Sequence, residues 1–92
     1  MRIPSGAKKL ISDVSLKDEC ELWLLKEQEK WYINRTYWLV KNGQVISVLQ
    51  QGGKEENSAL ADLERFNWVK KHDCLGLVPR RNKNGVFEMV EI

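Results

Sequence analysis

The chain has 92 residues, 42% of them hydrophobic and 30% charged, with a formal net charge of +2 at pH 7. This size and composition predict one soluble globular domain with a modest core, and the net charge is too weak to predict nucleic-acid binding by itself. No apolar run approaches the length of a membrane span, and none follows the basic N-terminus as a secretion signal would require. We therefore expect no membrane partner and a cytoplasmic protein whose two cysteines, Cys20 and Cys74, are reduced. A disulfide between them stays open as the alternative.

Residues 1–12 predict a flexible or loosely docked N-terminal arm, because a proline and a glycine precede a pair of lysines. Residues 13–92 are expected to form a single α+β domain. Within that domain, residues 15–32 fit either a helix or a strand, since a short apolar run has no decisive period. We favour a strand near 20–26, because the next segment predicts a hairpin and two strands alone form a marginal sheet.

The strongest signal is the segment 36–49, in which Asn42 and Gly43 join two apolar runs. These residue types tolerate the positive φ of a two-residue turn, so the segment predicts an antiparallel hairpin with Lys41 opposite Gln44. Side chains alternate between the two faces of a strand. One face is expected to carry Arg35, Tyr37, Leu39, Lys41, Gln44, Ile46, Val48 and Gln50. The other is expected to carry Thr36, Trp38, Val40, Val45, Ser47 and Leu49.

Both predicted faces are apolar in the middle, whereas the strands of a sheet with one solvent-exposed face alternate apolar with polar residues. Either both faces are covered by other parts of the chain, or one of them is a working surface, which means a surface that contacts a partner. The face with Arg35, Tyr37 and Lys41 is the better candidate for a working surface, because it mixes an aromatic ring with basic and amide groups.

Residues 58–72 predict one main packed helix, capped at its start by Asn57 or Ser58. Trp68 and Val69 are predicted to point away from the sheet. Trp68 on a polar helix face is then a candidate contact with a partner or with the C-terminal segment. The apolar stripe that faces the sheet is predicted to consist of Ala59, Leu60, Leu63 and Phe66.

A second hairpin is predicted at the C-terminus, where residues 75–81 lead through an Asn-Gly pair into residues 86–92. Pro79 has no N–H to donate, so its strand is expected at the edge of a sheet. The expected fold is therefore α+β: a small antiparallel sheet built on the first Asn-Gly hairpin, one main packed helix and a C-terminal β-hairpin.

The residue types of a catalytic or metal centre are sparse. His72 is the only histidine, and although it lies beside Asp73 and two residues from Cys74, no family signature and no paired metal-ligand spacing surrounds them. The glycine pair before Lys54 lacks the spacing of a phosphate-binding loop. We therefore expect no enzyme activity, no catalytic residue, no metal and no cofactor.

Basic side chains cluster at the end of the predicted helix and at the second hairpin. A helix that ends in Lys70, Lys71 and His72 and is followed by a basic hairpin resembles the recognition helix and wing of a winged-helix DNA-binding domain. The matching residues are 75–81 with the hairpin 82–90. The layout of residues 20–72 resembles the arm-binding domains of tyrosine recombinases, which read DNA through a sheet. These resemblances imply a DNA-binding module whose basic groups contact phosphates. The predicted contacts are Arg35, Lys41, Lys70, Lys71, Arg80, Arg81 and Lys83.

The alternative function is a protein-binding accessory or inhibitor protein of phage or mobile-element type, which acts by covering a larger partner. A compact, tryptophan-rich chain without a catalytic set suits that class, and tryptophan is enriched in interface hot spots. Tyr37 and Trp68 are the predicted partner contacts. A homodimer formed through the same surface belongs to this class.

Overall fold

A computed structural model describes residues 2–10, 15–54 and 58–91, without the side chains of residues 58–62, 78–81, 87, 89 and 91. The strands are β1 (Lys8–Lys9), β2 (Cys20–Gln28), β3 (Ile33–Lys41), β4 (Gln44–Gly53), β5 (Leu77–Arg81) and β6 (Phe87–Glu91), and helix α1 (Ser58–Lys71) follows β4 in the sequence. Strands β1 to β4 form one antiparallel sheet in chain order, and β5 pairs with β6. The four-stranded sheet and the helix confirm the predicted α+β class. No helix within the described residues is long and apolar enough to cross a membrane.

The ambiguous segment before the first hairpin is strand β2. Leu22 lies opposite Leu39 and Leu24 lies opposite Tyr37, so apolar side chains meet across the strand pair. These contacts override the helix propensity of the glutamate, lysine and leucine residues in the segment. On its other side β2 pairs with β1, and the Leu10 N–H donates to the Leu22 carbonyl at 2.8 Å. Part of the predicted N-terminal arm is therefore an edge strand.

The turn between β3 and β4 is two residues long. Asn42 and Gly43 have φ values of 53° and 78°, and Lys41 lies opposite Gln44. Both turn residues thus adopt the left-handed conformation, which asparagine and glycine accept at low cost.

The register shifts by one residue soon after this turn. Val40 lies opposite Val45, but Leu39 lies opposite Ser47, so Ile46 is the extra residue of a β-bulge. The expectation of an unbroken register is wrong from this point outward. Because the side-chain period of a strand is two residues, a shift of one exchanges the two faces of β4 relative to β3.

The bulge therefore defines two faces that differ from the predicted ones. The inner face carries Cys20, Leu22, Leu24, Arg35, Tyr37, Leu39, Ser47, Leu49 and Gln51. The outer face carries Glu21, Trp23, Leu25, Thr36, Trp38, Val40, Val48 and Gln50.

Helix α1 covers the inner face, and the core lies between them. Leu22, Tyr37 and Leu39 are at most 2% exposed and pack in one cluster with Val69 and Cys74. Burial of an apolar side chain of this size contributes about 1.5–3 kcal/mol each, so this cluster is the main stabilising contact of the sheet with the helix.

Among its described side chains, the helix packs through a stripe that shares only Phe66 with the predicted one. Val69 is 1% exposed, and Phe66 and Trp68 pack against the core, whereas Leu63 is 55% exposed. The expectation that Leu63 faces the sheet while Trp68 and Val69 point away from it is wrong, because the buried stripe is centred on the last turns of the helix. The predicted N-cap and the first two residues of the predicted stripe lie outside the described side chains.

The end of α1 is closed by a Schellman motif. The Cys74 N–H donates to the Val69 carbonyl at 3.3 Å, and the Asp73 N–H donates to the Lys70 carbonyl at 3.0 Å. Asp73 takes the left-handed position with φ at 55°, which a short polar side chain tolerates better than a bulky one.

The two cysteines meet in the core below this helix end. The Cys20 N–H donates to the Lys17 carbonyl at 2.9 Å, and the Lys17 N–H donates to the Cys74 carbonyl at 3.0 Å. Burial, followed by contact with Cys74, raises the pKa of the Cys20 thiol to about 12. The Lys17 ammonium donates to the Asp73 carboxylate at 2.8 Å, and this hydrogen bond lowers the pKa of Asp73.

The buried and exposed sides of α1 predict a large effect of one substitution and a small effect of another. We expect Val69→Ala to lower the free energy of unfolding by about 1–3 kcal/mol, because it leaves a cavity in the core. We expect Leu63→Ala to change it by less than about 0.5 kcal/mol, because that side chain is exposed. Urea unfolding followed by tryptophan fluorescence measures both. A larger loss for Leu63→Ala than for Val69→Ala would contradict the packing of α1 described above.

Candidate partner-binding surface

The face predicted as the working surface is the inner face of the sheet. Arg35 and Tyr37 are 5% and 2% exposed, and the guanidinium of Arg65 from α1 lies 5.7 Å from the centre of the Tyr37 ring. The expectation that Arg35 and Tyr37 are open to a partner is wrong, because the helix lies on the face that carries them. Lys41 is half-buried at the other end of β3, about 20 Å from Arg35 along the strand.

The remaining predicted nucleic-acid contacts lie toward the C-terminus. Lys70 and Lys71 are exposed in the last turn of α1, and Lys83 is exposed in the turn between β5 and β6. Lysines in the last helical turn also interact favourably with the helix dipole, so their position has a structural cause as well. Arg80 and Arg81 belong to β5, and their side chains lie outside the described ones. These five residues stay predicted contacts.

Trp68 connects α1 to β4. Its indole N–H donates to the Ser47 hydroxyl at 3.2 Å, and its ring meets the His72 ring edge-on, with centroids 5.8 Å apart and planes at 78°. The side chain is half-buried and packs against the core cluster. Trp68 was predicted as a partner contact because it was expected on a polar helix face. That reason no longer applies, since the side chain packs against the sheet.

His72 and Cys74 make separate contacts. The Cys74 thiol donates to the backbone carbonyl of His72 at 3.6 Å, while the imidazole of His72 faces Trp68. These two contacts do not constitute a nucleophile with its base. Across the described ranges, no group of three histidine, cysteine, aspartate or glutamate side chains is placed to hold a metal ion.

The exposed apolar side chains concentrate on β4 and on the turn that adjoins its far end. Seven large apolar side chains are exposed among those described, and four of them lie in this region. They are Trp31 at 81%, Tyr32 at 42%, Ile46 at 40% and Val48 at 36% exposed. We name these four residues the outer β4 surface.

Gly52 connects the aromatic pair to the strand. A Cβ at Gly52 would lie 3.3 Å from Cδ2 of Tyr32, so the Tyr32 ring packs against this glycine. Val48 lies opposite Trp38 and Gly52 lies opposite Asn34, which places Val48 and Gly52 on the outer face. Val48 and the Tyr32 ring therefore lie on the same side of β4, with the exposed Gln50 between them.

Strand β4 is an edge strand and is uncharged. Its sequence from Gln44 to Gly53 contains only amide, hydroxyl, aliphatic and glycine residues. It pairs with β3 on one side, and within the described ranges no strand pairs with the other side. Edge strands are commonly protected by lysine, proline or a bulge, and β4 has only the bulge near its start. The backbone beyond the bulge is therefore suited to pairing with another extended chain.

The opposite edge of the outer face is more polar. The Glu21 carboxylate accepts a hydrogen bond from the Trp23 indole N–H at 3.1 Å and pairs with the Lys9 ammonium at 3.6 Å. Strand β1 also pairs with β2 there. The apolar exposure of the outer face is thus concentrated on the β4 side.

Sequence reasoning missed the outer β4 surface. The unbroken register placed Ile46 and Val48 on the same face as Tyr37, and only the bulge separates them. Two signals pointed to the surface: Trp31 directly follows a polar run that predicts a turn, and ten successive residues of β4 lack charge in a chain that is 30% charged.

Comparisons with protein-family models, with curated proteins and with solved structures found no match to this chain. The candidate surface therefore rests on the geometry of the chain itself.

The tryptophans predict a distinct quenching pattern. Trp31 is 81% exposed and Trp38 is 6% exposed, so we expect Trp31→Phe to remove the component of the fluorescence that acrylamide quenches most readily. The same substitution should change the free energy of unfolding by less than about 0.5 kcal/mol, because the side chain buries little area. Trp38→Phe is the matched control and should remove a protected component instead. Unchanged quenching in Trp31→Phe would contradict the exposure of the turn.

Proposed function

We propose that this chain is a small non-enzymatic binding module that contacts a partner protein through the outer β4 surface. The observation that carries the proposal is the concentration of exposed apolar side chains beside one uncharged edge strand. Large exposed apolar side chains grouped in one part of a small domain are typical of a contact site for another macromolecule. Covering such groups contributes about 25 cal/mol per Å² of apolar area removed from water.

Trp31 and Tyr32 supply the anchors of this surface. Tryptophan and tyrosine are enriched in interface hot spots, because they bury a large area with few rotatable bonds. Tyr32 is held against Gly52, which orders its ring before a partner binds. A pre-ordered anchor loses less conformational entropy on binding than a free one.

The free side of β4 supplies backbone hydrogen bonds. We infer that the partner contributes an extended segment that adds to the sheet beside β4, with its side chains alternating between the two faces of the sheet. Side chains on the outer face would then lie next to Ile46 and Val48, which favours apolar residues at every second position of the partner segment.

Nucleic-acid binding is the second candidate function. It is favoured by the three exposed lysines Lys70, Lys71 and Lys83, for which the described side chains show no ion pair. Contacts from these ammonium groups to phosphates would give an affinity that falls with salt. The burial of Arg35 removes the sheet face from this candidate, so it rests on the C-terminal half of the chain.

Affinity capture with matched variants tests both candidates. The immobilised chain is exposed to lysate of its source cells at two salt concentrations, and bound protein and bound nucleic acid are quantified separately. The first variant combines Trp31→Ala with Val48→Lys. The control is Leu63→Lys, which places a charge at an exposed apolar site on the helix. The second variant, which tests nucleic-acid binding, replaces Lys70, Lys71 and Lys83 by alanine.

We expect one captured protein to be lost by at least tenfold with the Trp31→Ala/Val48→Lys variant and retained with Leu63→Lys. The purified partner should then bind the purified chain with the same pattern, because only the outer β4 surface differs. Equal binding by these two variants would contradict the protein-binding proposal. Nucleic acid retained at low salt and lost in the triple-lysine variant would establish the second function in its place.

A further inference from the structure

Cys20 and Cys74 are brought together by the fold although 53 residues separate them in the sequence. Cys20 is the first residue of β2, and Cys74 directly follows the left-handed residue that closes α1. The two are 6% and 0% exposed and belong to one core cluster. The outer β4 surface uses neither of them.

The peptide of Lys17 fixes the two cysteines relative to one another. Its N–H donates to the Cys74 carbonyl at 3.0 Å, and its carbonyl accepts from the Cys20 N–H at 2.9 Å. Both side chains pack in the same buried cluster, between the start of β2 and the end of α1. Two cysteines in one buried cluster, on segments joined by backbone hydrogen bonds, are held as neighbours, which a disulfide requires.

We infer that Cys20 and Cys74 are a latent disulfide pair, which a low-molecular-weight disulfide converts into one intramolecular bond between the start of β2 and the end of α1. This inference is independent of the proposed function, because it concerns the inner face of the sheet.

The reaction proceeds by thiol–disulfide exchange. One cysteine, as its thiolate, attacks a sulfur of the reagent, forms a mixed disulfide and releases one reagent thiolate, which takes up a proton. The second cysteine thiolate then attacks the protein sulfur of that mixed disulfide and releases the second reagent thiol. The two cysteines are oxidised to a disulfide, and the reagent disulfide is reduced to two thiols.

The folded chain protects this pair from exchange. Both side chains are buried, so a dissolved disulfide does not reach them in the folded chain. Burial also raises the pKa of the Cys20 thiol, which makes that thiol a poor nucleophile. Exchange therefore requires the core to open, and we expect the bond to form during folding or after unfolding far faster than in the native state. Once formed, it closes a long loop and limits the freedom of the unfolded chain.

Oxidative refolding tests the inference on the full chain. The protein is unfolded in urea and refolded with a mixture of reduced and oxidised glutathione, and the product is examined by intact mass, by non-reducing peptide mapping and by thermal denaturation. We expect a monomer that has lost two hydrogens, with Cys20 and Cys74 in one linked peptide pair. Its Tm should exceed that of the same sample after reduction by on the order of 10 °C.

The reduced and oxidised forms of the same chain are the primary comparison, so the test does not depend on a variant that folds. Cys20→Ala is the matched control and should show no rise in Tm with glutathione. A glutathione adduct, an intermolecular dimer, or an oxidised monomer with an equal or lower Tm would overturn the inference. Native protein that forms the bond as fast as unfolded protein would contradict the protection of the pair.

Discussion

The pairing of β3 with both of its neighbours is the constraint on which the rest of the structure depends. Residues 35–40 of this strand are all buried, which matches the near-continuous apolar run expected of a strand covered on both faces. On the inner face, Tyr37 and Leu39 pack in one cluster with Val69 of α1. On the outer face, Trp38 lies opposite Trp23 of β2 and Val48 of β4. With β3 covered in this way, the large apolar side chains that the four-stranded sheet leaves exposed, Ile46 and Val48, lie on its edge strand β4.

The bulge at Ile46 connects this packing to the proposed function. It brings Leu49 to the inner face and Val48 to the outer face, so the helix covers one set of β4 side chains and leaves the other open. Trp68 and Glu64 of α1 bond to Ser47 and Gln51, and these contacts hold the helix over the inner side of β4. Within the described ranges, no strand pairs with the second side of β4, and the proposed partner contacts this side together with the exposed side chains of the outer face.

The α+β class, with its antiparallel sheet and one packed helix, could be predicted from the sequence, because strong local patterns such as the Asn-Gly turn and the run of residues 58–72 determine it. Which side chains of β4 lie under the helix could not be predicted, since a one-residue bulge between Val45 and Ser47 has no distinct sequence pattern. That single shift also explains why Arg35 and Tyr37 were expected at a site and are found under the helix. The stripe of α1 was misassigned for a related reason: the stripe centred on Val69 becomes evident only when the fold brings Cys74 and Leu39 beneath it.

Hydrogen–deuterium exchange on β4 tests the central claim most directly, once the captured partner is purified. In the free chain, the amides of residues 47–53 that point away from β3 should exchange quickly, whereas those of residues 35–40 in the central strand should be protected. In the complex, the account predicts that protection increases at β4 and at the Trp31–Tyr32 turn, while α1 and the β5–β6 hairpin remain unchanged. Protection confined to α1 or to the β5–β6 hairpin, with β4 exchanging as in the free chain, would contradict it.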